Sequence, residues 1–202
     1  PCGPCSEIFY DHGETFSGES PAEGVDTGDR FVEIYNLVFM QFNRSPDGEL
    51  SPLPKPSVDT GMGLERITAV LQGINDNYET DLFKDLIKKI ASNLGAQNLE
   101  NPSLRVIADH LRSSSYLIAD GLSVSNEGRG YVLRRIIRRA LRHAYKLNPD
   151  YEKPLSGLVK ELVSQMGKEH ALLSKNKKII EKTIEKEEQQ FSLTLRNGMR
   201  IF

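Results

Sequence analysis

The sequence has 202 residues, of which 38% are hydrophobic and 27% are charged, and its formal net charge is −2 at pH 7. This length and composition suffice for one domain or two small ones, and a net charge near zero confines any nucleic-acid contact to a local basic patch. No apolar run approaches the roughly 18–20 residues of a membrane span, and the amino end lacks the pattern of a signal peptide. With two cysteines, which make no disulfide framework, the sequence predicts a cytoplasmic protein without a membrane partner.

The opening stretch, PCGPCSEIFYDHG, contains the CGPC letters of thioredoxin-type dithiols. Such a dithiol follows a strand and opens a helix, whereas no strand is expected before Cys2 and the next residues favour a strand and a turn. A zinc site needs about four ligands, and Cys2, Cys5 and His12 supply three, with Thr15 where a fourth would be expected. We therefore predict a glycine- and proline-shaped turn beside a pocket and no metal site, and we keep metal binding by this cluster as an alternative.

A long run of β-prone residues follows, RFVEIYNLVFMQFNR, with apolar residues on both alternating faces. This pattern predicts a strand that is buried on both sides of a layered sheet. Glu33 and Asn36 are the polar exceptions, and they are costly on a buried strand unless they are paired or face a pocket. The pattern alone leaves open whether they belong to a site or to a strand end and a satisfied side chain.

The next stretch, RSPDGELSPLPKP, predicts a turn and then a proline-rich loop. After it, SVDTGMGLERITAVLQG predicts a helix that is capped by Asp59 or Thr60 and ends at Gly73. The predicted apolar stripe of this helix consists of Leu64, Ile67 and Leu71.

Within that stretch, the letters VDTGMGLER combine an acid, two glycines and a helix start. The glycines allow close approach of the backbone to a ligand, and a helix N-terminus favours an anion. Arg66 can offer two donors to a phosphate, and Asp59 can hold an ammonium group. Such a pair of sites suits an amino acid together with a nucleotide, and the alternative is an ordinary strand–turn–helix corner.

From Tyr78 onward the pattern is helical. One helix is predicted to end at Gly95, and a second to begin at Pro102 and end at Gly121. The stretch YVLRRIIRRALRHAYKL predicts a third, and a long charged helix is expected within the tail. The apolar stripe of the tail helix consists of Ile180, Ile184, Phe191 and Leu195. A composition shift near residues 74–78 predicts a domain boundary there.

The third of these helices is rich in arginine, with seven Arg or Lys residues and no acid between Arg129 and Lys146. Arg134, Arg138 and Arg142 recur every four residues, with Arg135 and Arg139 beside them. The opposite, buried stripe is predicted to consist of Leu133, Ile137, Ala140 and Ala144. Like charges at this spacing repel by a few tenths of a kcal/mol per pair, so the pattern favours a polyanion such as RNA or DNA as a partner. The alternative is pairing with the protein's own 28 acidic residues.

Asn126 lies in the polar loop SVSNEGRG, directly before the arginine-rich helix. An asparagine presents a donor and an acceptor together and can read a base edge. The alternative is a helix cap or a turn residue.

Taken together, these stretches resemble the alanyl-tRNA synthetases, a family of class II aminoacyl-tRNA ligases. The matching stretches are PCGPCSEIFYDHG, IYNLVFMQFNR, LPKPSVDTGMGLERI, RVIADHLRSSSYLIADG and NEGRGYVLRRIIRRALRH. The resemblance covers essentially the whole chain and implies an α+β fold. Residues 1–76 would be the rear part of the class II antiparallel catalytic sheet, and residues 77–202 an all-α domain for tRNA recognition.

The resemblance implies that alanine is activated with ATP and Mg²⁺ to alanyl-adenylate and passed to the 3′ end of tRNA(Ala), without a protein nucleophile. VDTGMGLER would be class II motif 3. The implied alanine-binding residues are Asp59, Gly61, Asn36 and Val38. The implied ATP-binding residues are Arg66, Gly63 and Glu33.

For tRNA, the resemblance makes Asn126 the residue that reads the G·U pair of the acceptor stem. The implied tRNA-binding residues are Asn126, Arg129, Arg134, Arg135, Arg138 and Arg142. In the family, motifs 1 and 2 precede this segment and a zinc-containing editing domain follows it, so zinc is expected only there. The chain begins with proline, and we expect a piece of a longer protein that does not form alanyl-adenylate by itself. A non-catalytic RNA-binding module and a metal-binding protein remain the alternatives.

Overall fold

A computed structural model describes residues 1–21, 28–151 and 153–199, with side chains described through residue 195. The chain forms two compact units, Pro1–Leu82 and Phe83–Phe202. Over the described residues, no helix has both the length and the apolar character needed to cross a membrane. The sequence places a domain boundary after residue 76, and the function of each unit stays a prediction.

The first unit is built on an antiparallel sheet, and the second is helical, which confirms the predicted α+β class. The sheet has the order β1 (Cys5–Asp11), β2 (Phe31–Arg44) and β3 (Leu50–Met62). The long apolar run therefore forms the central strand, as its β-prone residues predict.

The prediction that β2 is buried on both faces is wrong. Its first eight residues are half-buried, and Phe39 is 39% exposed. Ala69 and Thr80 are the buried residues among those described in the first unit. A strand that is apolar on both sides needs a layer on each side to bury it, and the described part of this unit has little besides one short helix to provide cover.

The proline-rich stretch forms part of β3 and not the predicted loop. The register with β2 jumps there, because Met40 lies opposite Ser57 whereas Phe42 lies opposite Pro52. Proline cannot donate to a ladder, so within sheets it is confined to edge strands and bulges, and β3 provides both.

The first helix, α1 (Leu64–Leu71), starts later than the caps that the sequence predicts. Thr60 and Asp59 lie in β3, and the Thr60 hydroxyl donates to the Asn36 carbonyl oxygen at 2.9 Å instead of capping a helix. The predicted apolar stripe is also wrong at two positions, because Leu64 and Leu71 are 50% and 80% exposed. The end at Gly73 is confirmed by its φ of +68°, which favours glycine.

The CGPC stretch is pinned to β2 by its backbone. The Cys2 amide donates to the Phe42 carbonyl oxygen at 2.6 Å, and the Phe42 amide donates back at 2.9 Å. The Phe39 amide donates to the Pro4 carbonyl oxygen at 2.8 Å. Between these bonds, a Cβ atom on Gly3 would overlap the carbonyl group of Phe39. The glycine is therefore required by the close approach of two backbones.

In the second unit, helices pack around a common core. Their bounds are α2 (Lys84–Leu94), α3 (Pro102–Ala119), α4 (Gly128–Leu147), α5 (Val159–Met166) and α6 (Ala171–Met199). The predicted ends are confirmed: α2 stops at Gly95 with φ +70°, and α3 begins with Pro102 and is followed by Gly121 with φ +93°. The Asn101 side chain caps α3 by accepting the Ser103 amide at 3.0 Å.

The core of this unit confirms the predicted apolar stripe of α4. Leu133, Ile137, Ala140 and Ala144 are fully buried. The predicted stripe of α6 is confirmed at Ile180 and Ile184, which are also fully buried, while Phe191 and Leu195 are half-buried. The solvent-facing positions of α4 are thereby fixed as well.

One buried acid of α6 holds the segment before α5. Glu188 is 5% exposed and accepts the backbone amides of Leu155 at 2.7 Å and Ser156 at 3.0 Å. Burial raises the pKa of this carboxyl, while the hydrogen bonds from Ser156 and Leu155 act in the opposite direction. Glu188 therefore caps the backbone amides of Leu155 and Ser156 and has a structural role.

We predict that Gly3→Ala destabilises the first unit by about 1–3 kcal/mol, because the added methyl group must separate the CGPC stretch from β2. Denaturant unfolding followed by far-ultraviolet circular dichroism measures the change. Gly61→Ala is the matched control in the same sheet, since a Cβ atom there meets nothing within 4 Å. Equal stability of the two variants would contradict the assigned role of Gly3.

Candidate functional site

The four residues predicted to bind alanine lie together on one face of the sheet. In the β2–β3 register, Asn36 is opposite Gly61 and Val38 is opposite Asp59. Residues directly opposite each other, and residues two apart on one strand, share a face, so the four side-chain positions form a contiguous patch. Asp59 and Gly61 are exposed, and a Cβ atom on Gly61 would meet nothing within 4 Å. The patch therefore has open space beside an accessible carboxylate.

A further polar residue on this face, Glu7, was missed by the sequence analysis. Glu7 lies opposite Asn36 in the β1–β2 register, and the Asn36 Nδ2 donates to its Oε1 at 3.2 Å. This contact directs the amide nitrogen toward Glu7 and leaves the amide oxygen as an acceptor. Alternation places Glu7 with Cys5 on one face of β1, but only the register reveals which β2 residues they meet.

Arg66, predicted to bind ATP, is anchored to β2 through Glu33. Its Nη1 donates to the Glu33 carbonyl oxygen at 2.9 Å and lies 3.7 Å from the Glu33 Oε2. A register shift in the ladder between β1 and β2 sets Phe9 opposite Glu33. The Arg66 and Glu33 side chains are 48% and 34% exposed, so their ion pair is weak and accessible to a competing anion.

Gly63, also predicted to bind ATP, is the residue from which α1 starts. It has an extended conformation, and no side chain caps the helix there. The first amides of a helix have no acceptor within the helix and favour an anion. Arg66 lies in this first turn, so a guanidinium and a helix start occur within four residues.

The cysteines and the histidine of the opening stretch do not form a cluster. Cys2 and Cys5 are free thiols, and the His12 ring packs edge-on against the rings of Tyr10 at 4.9 Å and Phe16 at 5.7 Å. Within the described ranges, no three His, Cys, Asp or Glu side chains are placed to hold a metal ion.

In the second unit, two of the predicted RNA-binding arginines pair with an acid of the protein itself. The Arg138 Nε lies 2.6 Å from the Glu187 Oε1 and the Arg134 Nε 3.4 Å from the same atom, while Glu187 itself is 3% exposed. Arg138 also lies over the Phe191 ring at 5.8 Å. The alternative of pairing with the protein's own acids is thus correct for these two residues.

The predicted stripe of Arg134, Arg138 and Arg142 is therefore wrong as a single surface. Each step of four residues turns about 40° around a helix, so the stripe winds from the α6 side to the solvent. Arg134 and Arg138 are half-buried, whereas Arg142 is exposed.

The solvent side of α4 presents what we call the exposed arginine face, which consists of Tyr131, Arg135, Arg139, Arg142 and Lys146. At about 100° per residue, these positions fall within an arc of about 80°. The Arg135 guanidinium lies 6.0 Å from the centre of the Tyr131 ring. No carboxylate of the described residues forms an ion pair with the four cations. Arg129 is exposed too, but lies in the first turn on another side of the helix.

Asn126 is exposed in the loop before α4, and its Oδ1 accepts a hydrogen bond from the Arg134 Nη1. It is not the cap of α4, because Glu127 holds that position. The loop rests on Gly130, where a Cβ atom would overlap Ser125. The structure thus links the two polar features that the sequence placed side by side.

A shallow cavity of about 250 Å³ lies elsewhere in the second unit, between the end of α3 and the start of α6. Its lining includes Tyr116, Asp120 and His170. None of the residues predicted to bind a ligand belongs to it.

Comparison with known proteins identifies the family to which the chain belongs. The family model described as tRNA synthetases class II (A) matches residues 1–202. The chain belongs to the class II tRNA synthetases. Its sheet and its helical unit both lie within the match.

Similar class II tRNA synthetases are alanine–tRNA ligases. The chain is 59% identical over 201 residues to that of Coxiella burnetii (strain RSA 331 / Henzerling II), and 57% identical over 201 residues to that of Idiomarina loihiensis. It is 57% identical over 202 residues to that of Francisella tularensis subsp. tularensis. Each alignment covers 100% of this chain and 23% of the relative. The chain therefore spans about a quarter of the length of these synthetases.

One histidine of the synthetase chain reports on the charge of the exposed arginine face. The His143 Nδ1 lies 3.0 Å from the Ser103 Oγ. Burial lowers the pKa of His143 below its ordinary value of 6.5, and the nearby charges of Arg139, Arg142, Lys146 and His110 lower it further. The neutral ring is favoured in the folded state, so its contribution to stability is present above the ordinary pKa and is lost as the pH falls through the lowered one.

We predict that Arg139→Gln raises the pKa of His143, because it removes one of the cations that disfavour protonation. Titration of the histidine ring protons by nuclear magnetic resonance measures the change, with the signal assigned from a His143→Gln variant. Arg129→Gln, which removes an equal charge from another side of α4, is the control. If both arginine variants shift the titration equally, the specific charge effect is refuted.

Proposed function

We propose that this chain is the part of an alanine–tRNA ligase that carries one side of the alanine and ATP site together with a tRNA-binding helical unit. The observation that carries the proposal is the convergence of Asn36, Val38, Asp59 and Gly61 on one sheet face beside the Arg66 turn. The family match and the names of the relatives support it. The whole protein would join alanine to ATP and transfer it to the 3′ end of tRNA(Ala) in the cytoplasm.

For alanine, the proposal assigns a role to each position of the patch. The exposed Asp59 carboxylate pairs with the ammonium group. The Asn36 amide oxygen, left as an acceptor by Glu7, accepts from the same group or a neighbouring one. Gly61 and Val38 leave room for a side chain as small as methyl, since no atom occupies the space that a Cβ on Gly61 would take.

For ATP, the proposal uses Arg66, Gly63 and Glu33. The guanidinium, which is only weakly paired, turns to a phosphate and offers a fork of donors. The first backbone amides of α1 carry partial positive charge and can donate to the same phosphate. Mg²⁺ usually takes one or two protein carboxylates together with phosphate oxygens, and Glu33, whose carboxylate lies beside Arg66, would supply one of them. When bound, Mg²⁺ neutralises phosphate charge.

The two parts of the chain take different roles in the proposal. Residues 1–76 belong to the catalytic domain, and residues 77–202 bind the acceptor stem. Arg135, Arg139 and Arg142 hold RNA phosphates, with Arg129 at the start of α4, while Asn126 reads the G·U base pair. Zinc is expected in the family's editing domain and in neither of these parts. Since the chain carries one side of the alanine and ATP site in this proposal, we expect no ATP–pyrophosphate exchange from the chain alone.

A non-catalytic RNA-binding module is the second candidate. It is favoured by the exposed arginine face, whose cations lie entirely within the helical unit and do not depend on the sheet. The two candidates differ in whether Asp59 contributes to alanine binding.

We predict that Arg139→Glu and Arg142→Glu each weaken binding of the 202-residue chain to an acceptor-stem RNA hairpin by about tenfold at low salt. Each should also reduce the salt dependence by about one phosphate contact. Fluorescence anisotropy at several salt concentrations measures both quantities. Lys182→Glu, the same charge change on an exposed position of α6, is the control. Equal losses in all three variants would indicate a net-charge effect and contradict a specific face.

In the full-length ligase, we predict that Asp59→Asn raises the KM for alanine by about 10- to 100-fold, because the ammonium group loses its charged partner. The melting temperature should change little, since Asp59 is exposed. Pyrophosphate exchange at varied alanine and fixed ATP measures the effect, with Glu49→Gln in the preceding turn as the control. An unchanged KM would contradict the assignment of the Asp59 carboxylate to the ammonium group of alanine.

A further inference from the structure

A buried carboxylate between α4 and α6 is the strongest feature that the proposed function leaves unused. Glu187 is 3% exposed, and its Oε1 lies 2.6 Å from the Arg138 Nε and 3.4 Å from the Arg134 Nε. A buried charge without compensation is strongly destabilising, so this carboxylate holds both guanidiniums in place.

Arg134 connects this carboxylate with the loop that carries Asn126. One part of its guanidinium faces Glu187, and its Nη1 donates to the Asn126 Oδ1. The Arg134 Nε is buried and forms an ion pair with Glu187 without the alignment of a hydrogen bond. The side chain therefore spans from the interior to an exposed loop.

This connection fixes which end of the Asn126 amide is available. A guanidinium has only donors, so the amide atom that faces Arg134 must be the oxygen. The nitrogen, with its two donors, is then the end that remains for a ligand. Asn126 itself is exposed, so without Arg134 its amide would be free to rotate by half a turn.

We propose that Glu187 is a positioning residue for RNA recognition: through Arg134 it orients the Asn126 amide so that its nitrogen donates to an acceptor on a base edge. This inference rests on the proposed function, in which Asn126 contacts the acceptor stem. The matching ligand is an RNA base pair that presents a carbonyl oxygen or ring nitrogen at that point. A base pair that presents an amino group there is disfavoured, because two donors would face each other.

The neighbouring contacts separate this role from a purely structural one. Arg138 joins α4 to α6 through Glu187 and the Phe191 ring, and neither contact reaches the loop. Glu188, the next residue, caps the segment at Leu155. Among the described residues, Arg134 alone continues from Glu187 to Asn126.

The test uses Glu187→Gln in the 202-residue chain and two acceptor-stem hairpins that differ only in the wobble pair, G·U against G·C. We expect the ratio of the two affinities to fall by about three- to tenfold, the effect of losing one oriented hydrogen bond, with an unchanged salt dependence. The side-chain amide signals of Asn126, assigned from Asn126→Ala, should move toward those of a freely rotating amide. The control is Glu185→Gln, a carboxylate on the same helix as Glu187. It breaks the ion pair with Lys153 and should change neither the affinity ratio nor the amide signals.

A double variant tests the route of the effect. In an Asn126→Ala background, Glu187→Gln should lower the affinity ratio no further, because its effect passes through the missing amide. If Glu187→Gln unfolds the helical unit, Arg134→Lys replaces it, since lysine keeps the charge but cannot bridge Glu187 and Asn126. Arg134→Lys must then move the amide signals and the ratio in the same direction.

Two outcomes overturn different statements. If Asn126→Ala lowers the ratio while Glu187→Gln and Arg134→Lys leave it and the amide signals unchanged, the positioning role is refuted and the proposed function stands. If Asn126→Ala and Arg139→Glu both leave RNA binding unchanged, the proposed RNA contact itself fails.

Discussion

The register between β2 and its two neighbours is the constraint on which the first unit of this chain depends. It sets Glu7 and Gly61 on either side of Asn36, and Asp59 opposite Val38. Because side chains alternate between faces, a slip of one residue would move the whole patch to the other side of the sheet. The CGPC stretch secures this register, since its backbone pairs with β2 near Phe42 and its glycine admits the close approach.

An analogous constraint acts on α4, where the core decides which cations remain outside. The buried stripe from Leu133 to Ala144 fixes the rotation of the helix about its axis. Arg134 and Arg138 then lie beside the interior and share one buried acid, while Arg135, Arg139 and Arg142 are left to the solvent. The seven cations of α4 thus divide into two that form ion pairs inside the protein and five that are exposed to a ligand.

Local patterns predicted the fold well wherever one segment contains its own signal. Pro102 and Gly95 marked helix ends, and the α4 core stripe followed from its period. Nonlocal partners could not be predicted: Glu187 lies 49 residues beyond Arg138, and no spacing rule identifies it among 28 acids. Glu7 was missed for the same reason, since only the register brings it to Asn36. The proline-rich strand was missed because an edge position, which makes proline tolerable, is a property of the sheet.

The energetics of α4 bear on what its arginines are for. Neighbouring cations on the exposed arginine face, such as Arg135 and Arg139, repel by about 0.2–0.5 kcal/mol per pair, so the folded helix tolerates them without a partner. Repulsion is therefore a weak argument for RNA. The stronger argument is which arginines are paired. Glu187 forms ion pairs with the two arginines that border the core, where an unpaired charge is costly. The described acids leave the solvent face of the helix unneutralised, and such a face retains its full attraction for a phosphate backbone.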